Sequence, residues 1–223
     1  GTGGLTLHAS NTGTTILGNS ANTYSGATTI NGGTLSVGTL ANGSSNSSIG
    51  ASDSTATNLV LGGGTLKYTG NSISTNRNFT ITAATTGTIE VATSGQTLTI
   101  SGAAAATTGA LTKTGAGTLT LSGANAYTGI TTISAGTLQL GDGGATGSIA
   151  SSSGITNNGT LKINLNVDNS IAQQITGSGS VVISNTNSLL NGGAFLGTSF
   201  TTIATNISVA NLLMRIFQNQ RGQ

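Results

Sequence analysis

The sequence predicts an all-β fold, a parallel β-solenoid in which short strands coil into stacked turns. Three observations predict it: leucines alternate with polar residues in short runs, glycines separate these runs, and one strand–turn–strand unit occurs twice. Such alternation is the period of a half-buried β-strand. The strands are joined by short turns rather than by helical crossovers. A closed coil is therefore the economical way to stack them in parallel.

The clearest unit is residues 115–141. Leu119 and Leu121 alternate with threonines, Leu138 and Leu140 flank a glutamine, and a Thr-Thr-Ile strand lies between the two pairs. Residues 22–38 align without a gap with residues 125–141 and are identical at ten of seventeen positions. A Gly/Thr-rich composition does not account for the shared Asn, Tyr and Leu positions, so we interpret the two segments as a true internal repeat.

Residues 115–141 resemble the autotransporter-associated β-strand repeat, also called the passenger-associated transport repeat, and residues 22–38 resemble it as well. The resemblance implies a right-handed parallel β-helix in a secreted or surface-displayed protein of a Gram-negative bacterium, often an adhesin-like stalk. It implies a structural and export-related element and brings no catalytic residues.

Other elements follow the same pattern along the chain. Residues 39–57 are rich in Ser, Asn and Gly, and we expect a longer loop that leaves the solenoid. The longest alternation runs through Leu161, Ile163, Leu165 and Val167. A larger period of roughly 100 residues extends the repeat, because residues 148–149 and 159–162 repeat the sequences of residues 48–49 and 64–67.

Inward positions of the repeated strands form the predicted structural core. These residues are Leu35, Val37, Leu66, Leu119, Leu121, Ile133, Leu138, Leu140, Leu161 and Ile163. We expect the solenoid to occupy residues 1–205. With about 20 to 25 residues in each rung, it would have about ten rungs and be roughly 45 to 50 Å long.

Residues 206–223 have a different period. Leu212, Leu213, Ile216 and Phe217 fall on one face of an α-helix. Three interpretations remain open: a helix that caps the open end of the core, an interface with another chain, or a vector-derived or disordered tail. At the other end Leu5 and Leu7 alternate around Thr6 with no charge or proline to protect the strand edge, so they are candidates for an end-to-end interface.

The amino-acid composition reduces the number of function classes that fit this chain. Only 4% of the 223 residues are charged, and the net charge is +2. Stacked rungs explain this scarcity, because a charge repeated at each rung would repel its neighbours along the stack. The few basic residues form no patch, which argues against nucleic-acid binding. The absence of cysteine suits export through an oxidising space. Because Gly1 is not a translation start, we expect that an upstream part was removed or left out. If the chain is an autotransporter, it is a passenger fragment; the sequence leaves open whether it is such a fragment or a complete mature subunit.

Candidate catalytic or metal-binding residues are few. The acids Asp53, Glu90, Asp142 and Asp168 are widely spaced, whereas a polysaccharide-cleaving β-helix needs several carboxylates in one groove. His8 has no carboxylate or cysteine at ligand spacing. Residues 141–144 faintly resemble one calcium-binding nonapeptide, which needs consecutive copies. We therefore predict no catalytic, cofactor or metal residues.

These observations favour a non-enzymatic extracellular structural module, a stalk or passenger segment of an adhesin-like protein. One alternative is a filament subunit that stacks head to tail, and a remote one is a carbohydrate-active β-helix enzyme. The expected partners are neighbouring repeats or further copies of the chain. Neither nucleic-acid binding nor membrane insertion is expected, and a host receptor or glycan is not identified by the sequence.

Overall fold

The computed structural model describes residues 1–167 and 171–184, together with the backbone of two short strands at 195–196 and 199–202. Every pairing between its strands is parallel, and the strands form three sheets. One 3₁₀ turn, Ala56–Asn58, is the only helical element among the described residues. The predicted all-β parallel solenoid is confirmed.

Sheet I has four strands. They are β1 (Leu5–Leu7), β3 (Thr28–Ile30), β5 (Leu59–Leu61) and β8 (Thr80–Ile81). Sheet II has nine strands. They are β2 (Thr14–Leu17), β4 (Thr34–Val37), β6 (Thr65–Tyr68), β9 (Thr86–Val91), β11 (Ala110–Thr114), β13 (Thr131–Ile133), β15 (Ile155–Asn157), β17 (Ile175–Thr176) and β19 (Phe195–Leu196).

Sheet III has seven strands. They are β7 (Ile73–Thr75), β10 (Thr97–Ile100), β12 (Thr118–Leu121), β14 (Thr137–Leu140), β16 (Thr160–Ile163), β18 (Ser180–Ile183) and β20 (Ser199–Thr202). Successive strands β5, β6 and β7 lie in sheets I, II and III, and β8, β9 and β10 repeat that order. The chain thus coils around three faces, and the strands make about eight turns rather than the expected ten.

The core is built from columns of residues that stack in register. In sheet III, Leu98, Leu119, Leu138, Leu161 and Val181 pair in succession, and all five are fully buried. A buried leucine contributes about 1.5 to 3 kcal/mol through removal of its surface from water. One apolar column therefore ties several turns into a single core.

One of the outward-facing columns of sheet II is formed by threonines. Eight of them pair in succession: Thr14, Thr34, Thr65, Thr88, Thr112, Thr132, Thr156 and Thr176. Parallel strands lie about 4.8 Å apart. If a charged residue were repeated at this position in every turn, each charge would therefore have a like charge on both sides. The structure thus shows the uncharged ladder that the composition indicated.

Two expectations about individual segments are wrong. Residues 39–57 do not leave the solenoid, because Leu40 and Ile49 are fully buried in the core. The alternation that begins at Leu161 does not continue as a strand to Val167: β16 ends at Ile163, and Val167 is exposed. Leu165 is nevertheless buried.

Candidate functional site

Asp53, Glu90 and Asp142, the acids within the described residues, lie on separate elements. Glu90 lies on β9 and makes an ion pair with Lys67 on the preceding turn, 2.9 Å between Nζ and Oε1. Asp142 follows β14 and accepts a bond from the Gly144 backbone N–H. Glu90 therefore belongs to sheet II, whereas Asp142 comes after a strand of sheet III.

Asp53 and His8 are engaged locally. A hydrogen bond from the Thr55 backbone N–H, at 2.8 Å, is the main cause that holds the pKa of Asp53 below its ordinary value. His8 Nδ1 lies 3.0 Å from the Ser10 hydroxyl. No group of three or more potential metal ligands occurs in the described part of the chain. Asp168 lies outside the described residues.

The ten residues of the predicted core are all almost fully buried. At the first strand Leu7 is buried and Leu5 is partly buried against the same core. The proposed helix with Leu212, Leu213, Ile216 and Phe217 lies outside the described residues.

The repeat itself builds the most specific side-chain arrangement in the molecule. In each copy a Thr-Thr-Ile strand is followed by a three-residue corner and a second strand. The corner ends in Gly33 (φ +62°) in the first copy and Gly136 (φ +65°) in the second. Glycine adopts this left-handed conformation without strain, and at Gly136 a Cβ would also collide with the Gly115 carbonyl of the turn below. The corner therefore requires glycine for two reasons.

Asn125 connects three successive turns in the second copy. Its Oδ1 accepts a bond from the Ala104 N–H of the preceding turn at 2.9 Å. Its Nδ2 donates to the Ser148 carbonyl of the following turn at 3.1 Å and to the Gly123 carbonyl at 2.9 Å. The buried amide therefore has partners for both its acceptor and its donors, as a buried polar group requires.

Three hydroxyl groups continue this network. Tyr127 Oη lies 2.8 Å from Thr131 Oγ1, which lies 3.0 Å from Ser152 Oγ of the following turn. Ser152 Oγ also donates to the Gly129 carbonyl at 2.9 Å. Burial raises the pKa of Tyr127 far above its ordinary value, so the phenol stays protonated and can donate. We call Asn125, Tyr127, Thr131 and Ser152 the second clasp.

The first copy makes a related arrangement with more exposure to solvent. Asn22 Nδ2 donates to the Ser48 carbonyl at 2.9 Å, and Tyr24 Oη lies 2.9 Å from Thr28 Oγ1. Asn22 Oδ1 accepts from the side chain of Asn19 instead of from the backbone of a preceding turn. We call Asn22, Tyr24 and Thr28 the first clasp. Both clasps reach the turn that follows them in sequence.

The two copies occupy different faces. In the first copy the Thr-Thr-Ile strand β3 lies in sheet I and the second strand β4 in sheet II. In the second copy the corresponding strands β13 and β14 lie in sheets II and III. The repeat has thus moved by one face, although its internal spacing is unchanged.

Arg77 holds the loop after the first copy, residues 38–58. It is fully buried, and its guanidinium donates to the carbonyls of Ala41, Gly50 and Ser52 at 2.9 to 3.0 Å and to the Ser52 hydroxyl at 2.9 Å. Burial lowers the pKa of Arg77. The arginine was not singled out by the sequence because its partners lie 25 to 36 residues away along the chain.

Lys113 is a second buried cation that the sequence analysis missed. It points into the core between Ile89 and Ile133, and its Nζ donates to the carbonyls of Thr114 at 2.6 Å, Gly115 at 2.9 Å and Ala135 at 3.3 Å. Burial lowers its pKa to about 8, although Glu90 opposes the shift. Its place in the alternation after Leu111 would have located it on the inner face.

Membrane insertion by a helix has no support in the described part of the chain, where no helix has the length and apolar character to cross a bilayer. Both clasps, both glycine corners and the two buried cations serve contacts within the solenoid. The arrangement shapes turns and holds one to the next.

Comparison with known proteins identifies the repeated segments. The family model described as passenger-associated-transport-repeat matches residues 9–37 and 111–140. Both copies fall within these segments except for their closing glycines. The predicted resemblance is confirmed.

A 123-residue stretch, 55% of this chain, is 44% identical to part of the adhesin BmaC autotransporter of Brucella suis biovar 1 (strain 1330). The match covers 4% of that relative, so the chain spans only a small part of the curated protein it resembles. No solved structure matches this chain.

Proposed function

From the two passenger-associated transport repeats that this chain carries, we propose that it is a non-enzymatic structural segment of an autotransporter passenger, a β-helical stalk that presents or forms part of a surface adhesin. The observation that carries the proposal is that each matched segment contains a strand pair, its glycine corner and the asparagine, tyrosine and threonine of its clasp. The name of the relative supports the adhesin part of the proposal.

The geometry suits a spacer. About eight turns at roughly 4.8 Å each give a rigid element of about 38 Å, and the core runs through them without interruption. Solenoids add length by adding turns, since each turn contacts only its neighbours. A longer passenger could therefore extend the same axis from either side.

Enzymatic activity has no support from the described acids, because Glu90 is paired with Lys67 and Asp53 is bonded to its own loop.

Neither the matched family nor the relative's name points to a filament subunit or a carbohydrate-cleaving enzyme. We propose an extracellular location on the same basis as the stalk role.

Surface display tests the proposal. The chain is placed between a secretion signal and an outer-membrane translocator in a Gram-negative host, and intact cells are labelled with an antibody to an epitope inserted in the exposed loop at residues 44–46. We expect labelling of intact cells and resistance of the solenoid to added protease. A scrambled chain of the same composition is the matched control. Retention of the native chain inside the cell, or equal protease sensitivity of both chains, would contradict the proposal.

Adhesion is tested separately with beads coated with the purified chain. Binding to host cells or matrix would show that this segment itself is adhesive. Absence of binding, together with successful display, would assign it the role of a stalk that carries an adhesive region elsewhere in the passenger.

A further inference from the structure

Backbone pairing is sparse on the first face of the solenoid. Sheet I ends at β8, and beyond it two isolated bridges, Phe79 to Ala104 and Ala124 to Ser148, continue that face in the described residues. Strand register is weakly specified where pairing is sparse and side chains are small and polar. Residues 144–154 fit this description, since Ile149 is their one large apolar side chain. The end of this turn is aligned by backbone bonds from the Ser153 N–H to the Thr128 carbonyl and from the Thr131 N–H to the Gly154 carbonyl. Around Ser148, whose carbonyl accepts from the Asn125 backbone N–H, the alignment over the preceding turn needs a further determinant.

Turn length does not supply that determinant. In the threonine column of sheet II, Thr34 and Thr65 are paired neighbours 31 residues apart, whereas Thr112 and Thr132 are paired neighbours 20 residues apart. A shift by one residue on the first face would leave the threonine column of the second face intact and could be absorbed by a loop. The chain thus has no fixed period that excludes such a shift.

The hydroxyl groups of the second clasp do not supply it either. Thr131 Oγ1 meets Ser152 Oγ of the following turn at 3.0 Å. Ser152 is flanked by Ser151 and Ser153, so a shift by one residue in either direction would bring another serine to this point. The hydroxyl contact therefore holds the two turns together without distinguishing between registers.

We propose that the side-chain amide of Asn125 is the register lock of the first face. It reaches both neighbouring turns on this face, accepting from the Ala104 N–H on one side and donating to the Ser148 carbonyl on the other. These are the same segments that the two isolated bridges join. The amide thus adds to these bridges the hydrogen bonds that a longer strand would supply.

The direction of the backbone carbonyls makes the lock selective. The Ser148 carbonyl accepts from Asn125 on the preceding turn, whereas the next carbonyl, that of Ile149, accepts from Gln173 Nε2 of the turn that follows. A one-residue shift that placed Ile149 over Asn125 would therefore present a carbonyl that points away from the amide. Because Asn125 is almost fully buried, the lost bond would leave an unsatisfied donor that water cannot reach.

The first copy provides an internal contrast. Its clasp is more exposed, and the loop that follows is held independently by Arg77, which donates to three carbonyls of that loop. Loss of the first clasp should therefore leave the register of its following turn unchanged. After the second copy, Gln173 takes this position and donates to two adjacent carbonyls, those of Ile149 and Ala150, and its neutral amide has fewer donors than the guanidinium. The second clasp therefore has less support from the next turn than the first.

Hydrogen exchange of the full chain, read by mass spectrometry on peptides from residues 144–154, tests the proposal. The variant Asn125→Asp keeps an acceptor for the Ala104 N–H but loses both donors, and it places a negative charge beside the Ser148 carbonyl. We expect two separate isotope envelopes in these peptides, one native-like and one with about tenfold less protection, because two registers coexist. Peptides from β12, β14 and β16 in sheet III should keep one envelope.

The matched control is Asn22→Asp, for which one envelope is expected in the peptides from residues 44–54. A purely structural role of Asn125 would give one envelope that shifts in all three faces together, and this result would overturn the proposal, as would unchanged exchange. If Asn125→Asp does not fold, Asn125→Ser, which is uncharged but too short to reach both neighbouring turns, is judged by the same criterion against Asn22→Ser.

Discussion

The first copy of the repeat places its two strands in sheets I and II, and the second places the corresponding strands in sheets II and III. Both copies nevertheless keep the glycine corner, the tyrosine–threonine contact and the asparagine bond to the following turn. The repeat therefore specifies a corner with its clasp and does not specify a face. A three-sided solenoid permits this because each of its corners joins two parallel strands in the same way.

The copies differ in how the turn after them is held. A buried guanidinium secures the loop after the first copy, whereas the turn after the second copy is held by neutral groups alone, the buried amides of Asn125 and Gln173 and the hydroxyls of the second clasp. Four predictions test this difference.

The largest effect is expected for Arg77→Ala. Removal of this large, fully buried side chain opens a cavity, leaves the Gly50 carbonyl without its donor and takes one of two donors from the carbonyls of Ala41 and Ser52. We expect a loss of about 3 to 5 kcal/mol in the free energy of unfolding. Urea denaturation measures it. Arg77→Lys should recover only part of the loss because an ammonium has fewer donors and no planar fork. A loss below about 1 kcal/mol would mean that the loop is held by other contacts.

Leu35→Ala and Leu138→Ala compare the same repeat position on two faces. Each leucine is fully buried between paired neighbours, so each variant should lose about 3 kcal/mol. Thr120→Ala is the control. Thr120 is only 2% exposed, but it lies on the side of its strand that faces away from the core, so this substitution should cost less than about 1 kcal/mol. A clear difference between the two leucines, measured by urea denaturation, would show that the faces are not equivalent.

Lys113 lies beside the second copy and not the first, and it should make the free energy of unfolding depend on pH. Its folded-state pKa of about 8 lies below the ordinary lysine value, so the unfolded chain binds more protons between pH 8 and 10.5. Stability should therefore rise with pH in that window, by about 1 to 2 kcal/mol between pH 7.5 and 9.5. Lys113→Met should remove this rise, and Lys67→Met, a change on the surface, should keep it. The same rise in Lys113→Met would assign it to other groups.

The smallest effect separates the two tyrosines. Tyr127→Phe leaves the buried Thr131 hydroxyl with one partner fewer and should cost about 1 kcal/mol. Tyr24→Phe acts on a partly buried tyrosine whose hydroxyl water can replace, and it should cost less than about 0.5 kcal/mol. Equal losses in thermal or urea unfolding would contradict the distinction between a fully buried and a partly buried tyrosine.

Several features followed from sequence patterns because their physical cause is local. Alternation placed Leu119, Leu121, Leu138 and Leu140 on inward positions of strands, and these residues are buried. Glycine was expected at the corners because a left-handed backbone conformation is a property of one residue. The same alternation was sufficient to place Lys113 inside, but a lysine is not an ordinary core residue, so the position was overlooked.

Other features depend on distant residues. Residues 39–57 were expected to leave the solenoid because their composition is that of a surface segment. They instead contribute Leu40 and Ile49 to the core, because Arg77 supplies donors for their carbonyls from the next turn. No pattern within the loop itself contains that information.

The sequence by itself determined that short strands and glycine corners would stack into a parallel solenoid with an uncharged threonine column, since these depend on alternation, on single residues and on spacing between like neighbours. Only the tertiary structure decided which face each copy of the repeat occupies. The face depends on the summed length of all the turns between the copies, and these turns vary in length. The same holds for the buried partners of Arg77 and Asn125, which are brought together only when successive turns stack.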